Sequence, residues 1–206
     1  MENDELEKLF RVRKTVLEML MARGYMVPDD DKNMELKEFK DKFRGSARDI
    51  LKVFAYKDRD DPASRIFVFW NDDKKLNRQS LTSYEQRMTH HKVTRAIIVV
   101  QNQITTVAKT VIENYNKFRI EVFMEGELLV NITKHRYVPT HQVLTEKEKQ
   151  ALLTKYHLKE TQLPRMQLSD PISRFYGLDR GQVWFPVSGF AVSDLRFSGG
   201  EDLSSK

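Results

Sequence analysis

Apolar residues fall at near-helical spacing at Leu6, Leu9, Phe10, Val16, Leu17 and Leu20, and Arg23-Gly24 follows as a stop. This predicts an amphipathic helix. A turn at Pro28-Asp-Asp-Asp31 precedes a shorter helix carrying Leu36, Phe39, Lys40 and Phe43, ended by Gly45-Ser46. The aromatic and β-branched runs Val53–Tyr56 and Ile66–Trp70 flank the charged turn 57–63 and predict a strand pair. Leu81, Tyr84 and Met88 predict another helix after the polar loop Asn71–Arg78, a surface segment of the kind that tolerates change. The continuous run Ala96–Val100 predicts a strand covered on both faces. Val107, Ala108, Val111, Ile112 and Tyr115 return to helical spacing, and Ile120–Phe123 and Leu128–Ile132 are expected as strands around Gly126.

Helix and strand thus alternate with at least one parallel crossover, which predicts a three-layer α/β-like domain within an α+β chain. Beyond it the local signals become sharper. Thr145 followed by Glu148 is a capping box for a helix from Glu146 to Tyr156. Asp170 before Pro171 starts a second helix, because proline's missing N–H costs nothing at the first helical position. Gly177 supplies a left-handed stop. The domains expected are residues 1–133 and 134–183, followed by a divergent tail over 184–206.

The chain has 206 residues and a formal charge of +5, enough length to bury a core without covalent staples. Residues 1–129 carry 24 basic and 22 acidic side chains, residues 130–182 nine and five. The excess therefore sits in the second domain, where nucleic acid, an acidic protein surface or plain solvent could face it. There is no cysteine, hence no disulfide and no thiolate metal site. No signal peptide or membrane-spanning apolar run is found, so a soluble, intracellular chain without membrane contact is expected.

Catalytic chemistry finds little support. His90 and His91 are adjacent and point apart on a helix, so they are expected to be solvated rather than chelating. His135 and His141 lack a carboxylate or cysteine at ligand spacing, and each imidazole is expected to bond backbone. Asp58, Asp60 and Asp61 with Lys57 are the nearest approach to a metal-dependent nuclease site, but a charge run before Pro62 is normally solvated. The aromatics Phe54, Tyr56, Phe67, Phe69 and Trp70 are expected in the core rather than as a base-stacking platform. No catalytic residue, metal, cofactor or small-molecule ligand is expected.

His135, Val138-Pro139, His141, Gln162-Leu-Pro-Arg165, Asp170-Pro171 and Arg180-Gly-Gln-Val183 together resemble the C-terminal domain of the fifth common subunit of eukaryotic nuclear RNA polymerases, a family with an archaeal counterpart. Leu9–Gly24, Ala96–Gln101 and Glu121–Ile132 resemble its eukaryotic N-terminal domain. The resemblance implies a non-catalytic nuclear subunit of DNA-directed RNA polymerase. Its N-terminal domain would be nuclease-like but inactive, forming part of the lower jaw beside downstream duplex DNA. Its C-terminal domain would dock on the largest subunit, with His135, Pro139, His141, Pro164, Arg165, Asp170, Pro171 and Arg180 fixing that surface or its turns.

On this resemblance the loop before Val107 lies on the DNA side, with Thr105, Thr106 and Lys109 as candidate phosphate contacts. Most family members have proline where this chain has Thr106, and an ordinary helix cap is the competing reading. A second departure begins after Val183. Family members continue into a turn and a Tyr-rich closing strand. Here Trp184-Phe-Pro-Val-Ser-Gly-Phe190, a second run ending at Phe197 and a polar end follow. The alternative function is therefore a polymerase-binding regulator that is not a stoichiometric subunit, or a variant impaired in assembly.

Overall fold

A computed structural model describes residues 2–44, 48–58, 61 and 64–186, with the side chains of Glu2, Asp49, Phe185 and Pro186 left aside. The expected Gly45-Ser46 stop and the tail beyond Pro186, with Phe190 and Phe197, lie outside the described residues. The chain divides into two compact units, one ending at Asn131 and the other beginning at Ile132.

In the first unit, helix α1 spans Glu2–Ala22 and buries Leu9, Val12, Val16, Met19 and Leu20 on one stripe. Gly24 at φ +82° releases the chain from it, a conformation that L side chains rarely adopt. Where a turn was expected, three successive aspartates open a short helix, α2, over Asp29–Lys32, as carboxylates suit a helix N-terminus. Helix α3 (Leu36–Phe43) turns Phe39 and Phe43 inward. Arg13, nearly buried, donates to Asp31 at 2.9 Å, and its guanidinium lies 5.6 Å from the centre of the Phe43 ring.

Strands β1 (Val53–Tyr56) and β2 (Arg65–Trp70) pair antiparallel with Val53 opposite Val68. Helix α4 (Arg78–His90) then carries the chain to β3 (Arg95–Val100), parallel to β2, and α5 (Thr106–Glu113) carries it to β4 (Arg119–Met124), parallel to β3. The four-stranded sheet has the order β1-β2-β3-β4. Every residue from Ala96 to Val100 is buried, as a continuous apolar run requires.

Alternation along the strands sorts the core into two layers. Phe67, Phe69, Ala96, Ile98 and Val100 join Leu81, Tyr84 and Met88 of α4 and Ala108 of α5. Residues of opposite parity, Ile66, Val68, Trp70, Ile97 and Val99, are equally buried. Arg23, just past α1, donates to Glu121 of β4 at 2.7 Å, which fixes the end of α1 against that other face. Of the aromatic runs, Phe67, Phe69 and Trp70 are core, with Phe69 stacked on Tyr84 at 4.6 Å, whereas Phe54 on the edge strand β1 is 42% exposed and Tyr56 only half-buried, against expectation.

One strand expectation fails. Leu128–Ile132 does not form a strand; 3-10 turns cover Glu125–Leu128 and Ile132–Lys134 instead. The reason is Glu125. Its carboxylate, 2% exposed, pairs with Lys8 at 2.8 Å and with Arg48, which also reaches Glu5. Asn131 donates to Glu18 at 2.8 Å. These bonds draw the chain back over α1, so Leu128 enters the core while Val130 is left 68% exposed.

In the second unit, β5 (His141–Val143) pairs antiparallel with β6 (Trp184–Pro186). Trp184–Pro186, assigned from sequence to the divergent end, is thus a strand. Pro186 is its last residue in a two-stranded sheet, where a missing N–H breaks no central ladder. Helix α6 (Glu146–Tyr156) and α7 (Pro171–Tyr176) form where the caps place them. Asp170 accepts the Ile172 N–H at 2.8 Å, and Gly177 closes α7 at φ +62°. Leu144 and Leu152 form a small core with Leu163 and Val183.

The α6 cap carries a pH dependence. The Thr145 backbone N–H, and then its hydroxyl, bond the Glu148 carboxylate at 2.7 and 2.8 Å and hold its pKa below the usual carboxylate range. That stabilisation is present above the unfolded value of about 4.3 and is lost as pH falls through the lower folded value. Thr145→Ala should cost the second unit about 1 kcal/mol at neutral pH, and the deficit should shrink on acidification below the ordinary carboxylate range. Urea unfolding at neutral and acidic pH reads both effects. Glu125→Ala, which leaves the mostly buried Arg48 with Glu5 alone, should cost the first unit about 2–4 kcal/mol, read by the same titration.

Candidate nucleic-acid and subunit interfaces

Three parallel strands bring their C-terminal ends to one edge of the sheet. The loops after β2, β3 and β4 therefore meet there, and a shallow cleft is lined by Lys75, Gln101, Asn102, Gln103, Met124, Gly126 and Glu127. The loop after β3 leads into α5 and holds the three residues singled out as DNA contacts. Thr105 is the N-cap of α5 and accepts the Ala108 N–H at 3.3 Å. Its hydroxyl proton goes to the Leu76 carbonyl at 3.0 Å. Thr105 is therefore a strut. Thr106 and Lys109 are exposed, and Lys109 lies 3.8 Å from Glu113.

The loop between β2 and α4 is stapled to this one. Leu76 bridges Ile104 in parallel, and the Thr105 N–H donates to Leu76 O at 3.3 Å. Gln101 donates to Asp72 O at 2.9 Å. Asn71 is buried, with its N–H on Val99 O at 2.9 Å and its side-chain amide on Asp73 O at 2.7 Å. Asn77 caps α4 by accepting the Ser80 N–H at 2.8 Å.

In the second unit, the Leu163–Leu168 loop and the Leu178–Trp184 segment enclose an apolar groove of about 490 Å³ with Leu152 in its wall. Pro164, Arg165 and Arg180 line it together. Arg165 also lines an adjoining depression with Asp170, Pro171 and Trp184. His135, Pro139 and His141 line neither. His135 is exposed, and its Nδ1 accepts the Tyr137 N–H at 3.3 Å, the expected backbone bond. His141 departs from that expectation. Its buried Nδ1 has no hydrogen-bond partner, and its ring lies 4.9 Å from Trp184 and 6.3 Å from Tyr176. Aromatic packing, rather than a backbone bond from the imidazole, holds it.

Lys149 is the residue that sequence reading missed. It is buried, bonds Gly181 O at 3.0 Å and Glu160 at 2.9 Å, and so ties α6 to both walls of the groove. The Glu160 carboxylate holds its pKa up. The available signal was its place three residues before Leu152 on the inward stripe of α6.

Among the described residues, no three His, Asp or Glu side chains cluster as metal ligands, and no helix is long and apolar enough to cross a membrane. His90 and His91 are exposed. Of the carboxylate turn, Asp60 lies outside the described residues. Ser64 Oγ donates to the backbone carbonyls of Asp58 and Asp61, both at 2.7 Å. Lys57 lies 5.0 Å from the centre of the Tyr25 ring, and burial first, then Arg95 and Arg23, lower its pKa.

Residues 3–88 match the family model of the RNA polymerase Rpb5 N-terminal domain, and residues 130–184 that of the RNA polymerase Rpb5 C-terminal domain. The DNA-directed RNA polymerases I, II, and III subunit RPABC1 of Caenorhabditis elegans is 43% identical over 192 residues, 89% of this chain and 90% of that protein. The Dictyostelium discoideum protein of the same name is 40% identical, over 87% and 89%. DNA-directed RNA polymerase subunit 5-like protein 1 of Arabidopsis thaliana is 38% identical, over 88% and 89%. With a mixed α+β architecture, both domain matches and this identity along most of its length, the chain belongs to the Rpb5 family of RNA polymerase subunits.

Proposed function

We propose that the protein serves as a non-catalytic subunit of nuclear DNA-directed RNA polymerase, contributing surfaces while the chemistry resides in the large subunits. The observation that carries this is the 43% identity, over nearly the whole chain, to a subunit of RNA polymerases I, II and III. The second unit docks on the largest subunit. Its groove supports that role: Leu152, Leu163 and Val183 line it together with Arg165 and Arg180, so one inserted apolar side chain beside acidic residues would fit. Pro164, Asp170 and Pro171 fix the turns that present the two arginines, while His135, Pro139 and His141 shape the segment leading into β5.

The first unit forms part of the jaw beside downstream duplex DNA. Thr106 and Lys109 face solvent at the N-terminus of α5, where free N–H groups and the helix dipole suit a phosphate, and Thr105 holds the loop in place. Among the described residues, neither unit has one whose setting requires catalysis. A nuclear location follows from the proposed complex. The end of the family match at residue 184 favours the second reading, a polymerase-binding regulator or an assembly-impaired variant.

Tagged protein purified from nuclear extract in moderate salt should retain the largest polymerase subunits in near-equal amount, as measured by mass spectrometry. Elution alone, while a version carrying the usual family C-terminus assembles, would establish the second reading. Arg165→Glu with Arg180→Glu should cut recovery of the largest subunit at least about tenfold, the equivalent of about 1.4 kcal/mol.

A further inference from the structure

Among the described residues that line the groove of the second unit, Lys149 is the one buried charge: its side chain is 8% exposed, against 54% for its partner Glu160. An ammonium so withdrawn from water has to be met by the protein. It is met unevenly. Gly181 O, at 3.0 Å, belongs to a backbone segment that Leu144 pins through its N–H on Val183 O at 2.9 Å. Glu160, at 2.9 Å, reaches in from an exposed 3-10 turn, Glu160–Gln162, which leads into the Leu163-Pro164-Arg165 wall. Glu146 stands further off at 3.7 Å.

That turn is held mainly by itself. The Lys159 N–H donates to the Gln162 side chain at 2.7 Å, and the Gln162 and Leu163 N–H groups donate back to Lys159 O and Glu160 O at 2.9 and 3.3 Å. Among the described residues, the Lys149–Glu160 pair is the polar bond that joins it to the rest of the unit, and Leu163 adds an apolar contact with the small core. One exposed carboxylate and one leucine therefore fasten it beside α6.

The charge of the groove says what can replace that carboxylate. Lys149, Arg165 and Arg180 line it against two acids, Glu160 and Asp179, so an incoming acidic side chain is attracted there. Leu152 and Val183 in the same lining suit an apolar side chain next to it. Within this chain Glu160 and Leu163 already supply such a pair.

We propose that Glu160 is a latch: in the undocked protein it holds the place at Lys149 that an aspartate or glutamate of the docked polymerase subunit takes, and its release frees the turn to admit the apolar side chain beside that acid. This rests on the reading of the groove as the docking site for the largest subunit. One carboxylate replaces another, so the buried ammonium is never left without a partner, the costly alternative. The displaced Glu160 is already half in water and returns to it readily.

The test is a competition. The natural full-length chain and a variant, carrying different tags, are co-expressed, and the ratio of the two recovered with the largest subunit is measured by mass spectrometry. A static tie predicts that Glu160→Gln docks no better than the natural chain. The latch predicts that it docks about tenfold better, the factor for a site closed about nine-tenths of the time. The glutamine carbonyl still accepts from Lys149, and urea unfolding of each purified chain checks that the second unit is intact. Glu160→Asp, whose shorter side chain weakens the latch without removing its charge, should show a smaller gain. Lys149→Met should be depleted, and adding Glu160→Gln to it should restore nothing, because the gain passes through the ammonium.

If Glu160→Gln and Glu160→Asp are both recovered no better than the natural chain while that chain retains the largest subunit, the latch is refuted and the docking reading stands. A gain from Glu160→Gln that persists in the Lys149→Met background refutes it equally. If the natural chain retains no largest subunit, the docking reading falls and the latch with it.

Discussion

Strand β3 is covered on both faces, and the first unit follows from that requirement. Its five central residues, Ala96–Val100, are all apolar, so neither face of the sheet can be left to water. Helices α4 and α5 cover one side and α1, with Phe39 and Phe43 of α3, accounts for the buried aliphatic stripe on the other. Parallel neighbours on both edges of β3 need crossovers, and these deliver the loops after β2, β3 and β4 to a single edge. The meeting of the loop after β2 with the loop that opens α5 is thus a by-product of how one apolar strand is buried.

Among the described residues, the second unit has no comparable core. Leu144, Leu152, Leu163 and Val183 make a small cluster, and much of the order comes from polar anchoring. Thr145 and Glu148 fix one helix start, Asp170 another, and Gly177 a stop. Lys149 joins the walls of the groove by bonding a backbone carbonyl on one side and Glu160 on the other. Such a unit holds turns in place more than it fills space, which suits a surface that presents Arg165 and Arg180.

Those anchors explain what could be read beforehand. Capping boxes, a Pro at the first helical turn and a left-handed glycine act within a few residues, so both helices of the second unit were legible at their ends. Alternation and continuous apolar runs gave the strands and their crossovers. Leu128–Ile132 was misread because its fate depends on Glu125 meeting Lys8 and Arg48, partners far away in sequence. Lys149 was missed because a lysine on a helix reads as solvent-facing until its acceptors, Gly181 and Glu160, are known. The candidate contacts showed the same limit. Residue types pointed to Thr105, Thr106 and Lys109, but only geometry separates the strut Thr105 from its exposed neighbours, or brings the Asn71–Arg78 loop alongside them.

The bonds between α1 and the end of the first unit bear on how the chain is made. Glu18 meets Asn131 across 113 residues, and Lys8 meets Glu125 across a similar span. At translation rates of about 5–20 residues per second, α1 emerges on the order of ten seconds before the partners that lock it down. Through that interval the stripe of Val12, Val16, Met19 and Leu20, fully buried in the finished protein, has no complete sheet to cover it. The nascent chain therefore presents an apolar helix from the ribosome, a form suited to holding by chaperones until β4 and the turn after it have been synthesised.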